Sequence, residues 1–148
     1  MPTWQIQVLR ILLAVVLGAA IGLERQLHGK VAGVRTNVLI CLGAAVVTII
    51  SEQMGIKYND SVGRIAAQIV SGVGFLGAGV IIRDRGGIHG LTTAATIWLV
   101  AAVGMAVGAG YYCLAVAATV LAVVVLIGLR NWPSRPGAQG RDDRSATG

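Results

Sequence analysis

The sequence predicts an all-α fold: a bundle of about five helices in a lipid bilayer, amino terminus outside the cytoplasm and carboxyl terminus inside. Three observations predict it. Of the 148 residues, 55% are hydrophobic and only 12% are charged, against about 25% charged in soluble domains. A water-soluble fold of this size cannot hide so much apolar surface in one core. The apolar residues run in stretches of about 20, the length that crosses the hydrocarbon as a helix. The charges fall at the joints between these stretches and in the final residues. Membrane strands fit poorly, because the runs lack the alternation a barrel needs.

The first span is expected over residues 5–23, interrupted only by Arg10. Gly18 and Gly22 have the GxxxG spacing that lets two helix backbones approach. As a secretory signal this segment fails, since no clean A-x-A site precedes Glu24-Arg25. The second span is expected over 36–54 and the third over 62–82. In the third, Ala67, Ser71, Gly74 and Ala78 share a helical face, with Gly72 and Gly79 nearby, which predicts this span as the centre of the bundle. Gly72-Val73-Gly74-Phe75-Leu76-Gly77 matches the dinucleotide-binding spacing GxGxxG, but that motif needs a preceding strand and a soluble βαβ unit. Its glycines are assigned instead to close packing or helix bending.

From Gly90 to Leu129 there is no Asp, Glu, Lys or Arg. As one helix this run would be roughly 60 Å long, twice the hydrocarbon thickness. It must turn, and Gly108-Ala109-Gly110-Tyr111-Tyr112 is where glycines permit it and tyrosines suit the interface. That gives spans over 91–108 and 111–129, with Gly104 and Gly108 as a second GxxxG pair. Residues 1–129 form the membrane domain. Residues 130–148, rich in arginine, glycine and proline, are expected to be a disordered cytoplasmic tail.

The loops set the orientation. With the amino terminus outside, Arg25, Lys30, Arg35, Arg83, Arg85, Arg130, Arg135, Arg141 and Arg144 fall on the cytoplasmic side, and only Arg10, Lys57 and Arg64 near the other. This follows the positive-inside rule. The net charge of +6 thus reads as membrane orientation and attraction to anionic lipid; no basic face with interleaved aromatics exists to bind nucleic acid. Cys41 and Cys113 lie in apolar stretches without a CxxC partner and are expected to pack as small hydrophobes.

Polar groups inside a span each ask for a partner or a function. Arg64, Gln68 and Ser71, at i, i+4 and i+7, form a polar stripe on the third helix. It either lines a wet cleft or serves packing, with Arg64 paired to Asp60. Arg10 either snorkels to the interface or meets Asp60 or Glu52. At the inner face Glu24, Arg25, Arg35 and Asp84 come to one level, as an ion-pair network joining Glu24, Arg35 and Asp84 or as ordinary interfacial charges. Thr92, Thr93 and Thr96 open the fourth span, where threonines cap free backbone N–H groups or hold a ligand at a half-helix end.

Four stretches together resemble the MgtC/SapB family: Gly18 through Arg25, ending Ile21-Gly22-Leu23-Glu24-Arg25; Ala32-Gly33-Val34-Arg35-Thr36-Asn37; Arg64 through Ile81; and Gly90-Leu91-Thr92-Thr93-Ala94-Ala95-Thr96-Ile97-Trp98. They stand in family order, and the resemblance covers residues 8–128. It implies a bacterial inner-membrane protein linked to magnesium homeostasis, growth at low magnesium and, in pathogens, survival inside macrophages. Members are often described as magnesium transporters. The best-known one looks more like a regulator that binds other membrane complexes, ATP synthase among them, and carries a soluble domain after its fifth span. This chain reads as a short form with the membrane domain alone.

Two functions follow: a regulatory or interaction protein, or a transporter or channel for magnesium or another cation. Magnesium takes hard oxygen ligands, often one or two carboxylates with retained waters. Here Glu24, Glu52, Asp60 and Asp84 all sit at span ends, which favours the regulator. No enzyme is expected, since His28 and His89 lie in loops without the spacing of a metal site or triad. No cofactor is expected beyond Mg2+ as a transported or sensed ion. Partners are the bilayer and other membrane proteins, with a homo-oligomer as an open alternative.

Overall fold

The computed structural model describes residues 3–58, 63–84 and 87–129. It contains five helices: α1 (Thr3–Leu27), α2 (Val34–Tyr58), α3 (Arg64–Gly79), α4 (Leu91–Gly108) and α5 (Tyr112–Gly128). Three of them, α1, α2 and α4, are long and apolar enough to cross a membrane, and α5 is a shorter apolar helix. The expected disordered tail and Asp60 lie outside the described residues.

Two turns use one device. Gly29 and Gly110 both adopt positive φ, at 63° and 85°. After α1, Lys30 N–H donates to the Arg25 carbonyl and Gly29 N–H to that of Gln26. After α4, Tyr111 N–H reaches the Ala106 carbonyl and Gly110 N–H that of Val107. This paired closure satisfies the last carbonyls of a helix, and glycine takes its left-handed position without steric cost. The turn expected around Gly110 is therefore present, built at the end of α4.

The third span departs from expectation. The apolar run extends to Ile82, but α3 ends at Gly79. The chain then forms a small antiparallel hairpin, β1 (Ile82–Asp84) with β2 (Gly87–His89), pairing Ile82 with His89 and Arg83 with Ile88. Glycine is a poor helix former, while β-branched isoleucine suits a strand; Gly77 and Gly79 precede Ile81, Ile82 and Ile88.

The helices pack through glycine. A Cβ on Gly18 would lie 2.9 Å from Cys41 Cβ, and one on Gly22 2.7 Å from Val34 Cα, so α1 lies backbone-close along α2. A Cβ on Gly108 would lie 2.6 Å from the Ala45 carbonyl oxygen, and Gly104 abuts the Cys41 carbonyl. Both expected GxxxG pairs thus serve one helix, α2, the α1 pair along Gly33–Cys41 and the α4 pair along Cys41–Thr48. In lipid such close approach carries association that hydrophobicity cannot drive.

The centre of the bundle is α4, not α3. It touches all four other helices, whereas α3 rests on α4 and, less extensively, on α2. One core joins Ala14, Leu17 and Ile21 of α1 to Cys41 and Ala45 of α2, Val100, Val103 and Val107 of α4, and Ala115 and Ala122 of α5. A second holds Ala32, Ala44, Val73, Ile97 and Ala101. Among the described residues nothing lies within 4 Å of a Cβ on Gly72, Gly74 or Gly79, and Gly77 makes only ordinary contact with Ala94. The small residues of α3 predicted a central position because they permit packing. They do not require it, and the face they form points outward.

Candidate functional site

Polar residues gather at the two ends of the bundle. At the end where α1 closes and α2 and α4 open, Glu24, Arg25, Asn37, Thr93 and Thr96 are all buried. Gly22 admits Asn37 against α1, and Arg25 stands one turn further along that helix. His28 Nδ1 lies 3.0 Å from Glu24 Oε1 and 2.7 Å from the Glu24 carbonyl. Arg25 Nη1 lies 3.5 Å from Glu24 Oε2. A buried carboxylate is thus flanked by a guanidinium and an imidazole, the pairing a buried charge requires. Asn37 Nδ2 donates to the carbonyls of Ala32 and Gly33, both at 2.8 Å, and so fixes the α1–α2 turn. Arg25 Nε and Asn37 Oδ1 are buried without a partner among the described residues.

Of the expected network of Glu24, Arg35 and Asp84, only the surroundings of Glu24 and Arg35 fall among the described side chains. The partners of Glu24 are Arg25 and His28, and Arg35 is exposed on the first turn of α2. The Asp84 side chain lies outside what is described. The threonines do not cap α4. Gly90 is the N-cap, with no side-chain cap bond, and the Thr96 hydroxyl instead donates to the Thr92 carbonyl at 2.8 Å. Thr93 is buried and Thr92 exposed.

At the opposite end Arg10 makes a four-helix junction. Its Nη1 donates to Glu52 Oε2 at 2.9 Å and to the Gly108 carbonyl at 2.8 Å, and its Nε to Tyr112 Oη at 3.1 Å. One guanidinium therefore ties α1 to α2, to the carbonyl end of α4 and to α5. Of the alternatives read for Arg10, Glu52 is the partner found. The sequence marks Tyr112 only as an interfacial aromatic. Its register with Arg10 depends on the Gly110 turn, which spacing along the chain does not convey. A cleft of about 430 Å³ opens beside this junction, lined by Thr48, Glu52, Ala66, Ala106, Tyr111 and others.

On α3, Arg64, Gln68 and Ser71 are all exposed. Only Ala66, Val73 and Gly77 of this helix are buried. Among the described residues the stripe therefore faces away from the interior of the bundle. Among the described residues no group of three or more His, Cys, Asp or Glu side chains is placed to hold a metal ion.

Comparison with known proteins matches this architecture to one family. The MgtC family profile matches residues 11–134. The protein named "Protein MgtC" of Salmonella typhimurium strain LT2 is 48% identical over 128 residues, covering 86% of this chain and 54% of that protein. "Putative magnesium transporter YhiD" of Escherichia coli K12 is 47% identical over 125 residues, covering 80% and 58%. "Uncharacterized protein slr0014" of Synechocystis is 44% identical over 127 residues, covering 86% and 53%. The chain spans little more than half the length of these relatives. No solved structure matches. The matched region takes in both polar ends, the glycine-packed core and α3, and the chain belongs to the MgtC family of multi-pass bacterial inner-membrane proteins.

Proposed function

We propose that this protein acts in magnesium homeostasis as a regulator that engages another membrane protein through α3, rather than as a magnesium carrier. The outward face of α3 carries the reading. Gln68 and Ser71 point away from the other helices, Phe75 is 81% exposed, and Gly72, Gly74 and Gly79 face open space. A side-chain amide set against lipid is costly and seeks a partner, and small residues let a foreign helix come close. Support also comes from the closed core of α1, α2 and α4, where Ile21, Cys41, Ala45, Val100, Val103 and Val107 are almost wholly buried. Glu24 and Glu52 are both engaged by cationic or imidazole side chains, so neither offers a bare carboxylate to a passing ion.

A photo-crosslinking residue at Phe75 should capture a distinct membrane protein from native membranes, while one at Leu12, on the lipid-facing side of α1, should not. Equal capture at both positions removes the support for α3. The carrier reading draws on the name borne by the E. coli relative. It predicts magnesium flux into proteoliposomes above empty vesicles and its loss in Glu24→Gln; that result overturns the regulator. The reading also keeps the amino terminus outside and the carboxyl terminus inside. Labelling single cysteines placed at the two chain ends with an impermeant reagent should find them in opposite compartments.

A further inference from the structure

The hairpin between α3 and α4 is longer than a turn needs and more apolar than water favours. Ile81, Ile82 and Ile88 are 40%, 60% and 56% exposed, and Leu91 just beyond is 58% exposed. Pairing puts Ile88 beside Arg83 on one face and Ile82 beside His89 on the other, so each face shows an isoleucine. A lone two-stranded hairpin is marginal in water, and this one has only two three-residue strands. Among the described residues these isoleucines are left uncovered.

Dimensions identify the cover. The 16 residues of α3 span about 24 Å, against a hydrocarbon core of about 30 Å. Arg64, exposed at the start of α3, holds that end at headgroup level. The other end therefore stops about 6 Å short of the hydrocarbon boundary. Val80 and Ile81, hydrogen-bonded back to Gly77 and Ala78, carry the chain about 4 Å further before the hairpin starts. Three residues of strand reach about 10 Å, enough to cross the remainder and enter a headgroup layer some 5–8 Å thick, but not to stand clear of it.

Charge agrees. Gly77 packs beside Ala94, so the end of α3 and the start of α4 share one level, while Gly104 beside Cys41 sets the start of α2 about 9 Å further into the bundle. At this end of the bundle Arg83, Lys30 and Arg35 are all exposed, cationic side chains long enough to reach an anionic leaflet.

We propose that the β1–β2 hairpin is a membrane-interface anchor seated in a leaflet of acidic phospholipid, its isoleucines against the upper acyl chains and Arg83 on a lipid phosphate. The anchor acts through the bilayer and stands apart from the α3 docking face, so either can fail alone.

The test uses the full chain with Cys41→Ala, Cys113→Ser and Ile88→Cys, labelled with an environment-sensitive dye, in nanodiscs of phosphatidylglycerol and phosphatidylethanolamine or of phosphatidylcholine alone. Ile82→Cys is the second position should the first variant misfold, which circular dichroism reports. The expected result is blue-shifted emission, strong quenching by lipids spin-labelled high on the acyl chain and weak quenching by aqueous iodide. Arg83→Gln should shift the seated-to-free equilibrium about fivefold toward water in the acidic discs, the effect of one surface cation, and far less in phosphatidylcholine. Emission typical of water with full iodide quenching overturns the proposal, as does equal behaviour of both lipids with Arg83→Gln silent.

Discussion

Replacing Gly108 by alanine tests the packing on which the bundle rests. The added Cβ would sit 2.6 Å from the Ala45 carbonyl oxygen and 2.8 Å from Thr48 Cβ, where ordinary contact begins at 3.4 Å. The shortfall is about 0.8 Å. The obstructing oxygen belongs to the backbone of α2, so a rotamer change cannot relieve it and α4 must move away along its length. Overpacking of this kind costs about 1–3 kcal/mol. Alanine also gains about 0.8–1 kcal/mol over glycine in a helix, which would mask part of the clash. Gly43→Ala removes the ambiguity: Gly43 lies within α2, and among the described residues nothing lies within 4 Å of its Cβ, so it collects the propensity gain alone. The difference between the two variants isolates the clash. In mixed micelles titrated with dodecyl sulfate and followed by ellipticity, Gly108→Ala should be about 1–3 kcal/mol less stable than Gly43→Ala. Two variants agreeing within about 0.3 kcal/mol, the usual scatter of such comparisons, would refute close α2–α4 packing at Gly108.

Three further outcomes can be checked. Asn37→Ala removes the side-chain donor to the Ala32 carbonyl and should cost about 1–3 kcal/mol, read as faster proteolysis in the α1–α2 turn. Arg10→Ala should destabilise more than Glu52→Ala, because Arg10 also serves Tyr112 and Gly108; a double-mutant cycle on the pair should return a coupling of about 1 kcal/mol or less, since the Glu52 side chain is 38% exposed. Cys41 is buried and Cys113 exposed, so a membrane-permeant maleimide should modify Cys113 first and reach Cys41 only after unfolding.

The apolar runs told most of the fold, because a bilayer imposes length and helicity on any segment that enters it. The two GxxxG pairs were legible for a similar reason: glycine at every fourth position marks where a backbone comes close, and Gly18, Gly22, Gly104 and Gly108 all contact α2. The same logic misplaced α3. Its glycines carry no sign of whether the approaching backbone is of this chain, and here they face outward. The hairpin was hidden because Ile81 and Ile82 prolong an apolar run whether they continue a helix or open a strand. At the polar ends, sequence located Glu24 and Arg10 by the cost of charge in lipid, and named Glu52 among the candidates for Arg10. It missed His28 as a partner of Glu24 and Tyr112 as a partner of Arg10. The first pairing joins residues four apart across the end of α1. The second joins residues 102 positions apart and exists only once α4 has turned back at Gly110.

The Arg10 junction has a mechanical corollary. It clasps α1, α2, α4 and α5 at one rim and leaves α3 outside the clasp. Four helices make a braced frame, and the fifth hangs on it by a shallow seam of Ala66, Val73 and Gly77. Tilting that outrigger breaks none of the three Arg10 bonds, so a pull on α3 is spent on displacing it and not on loosening the frame.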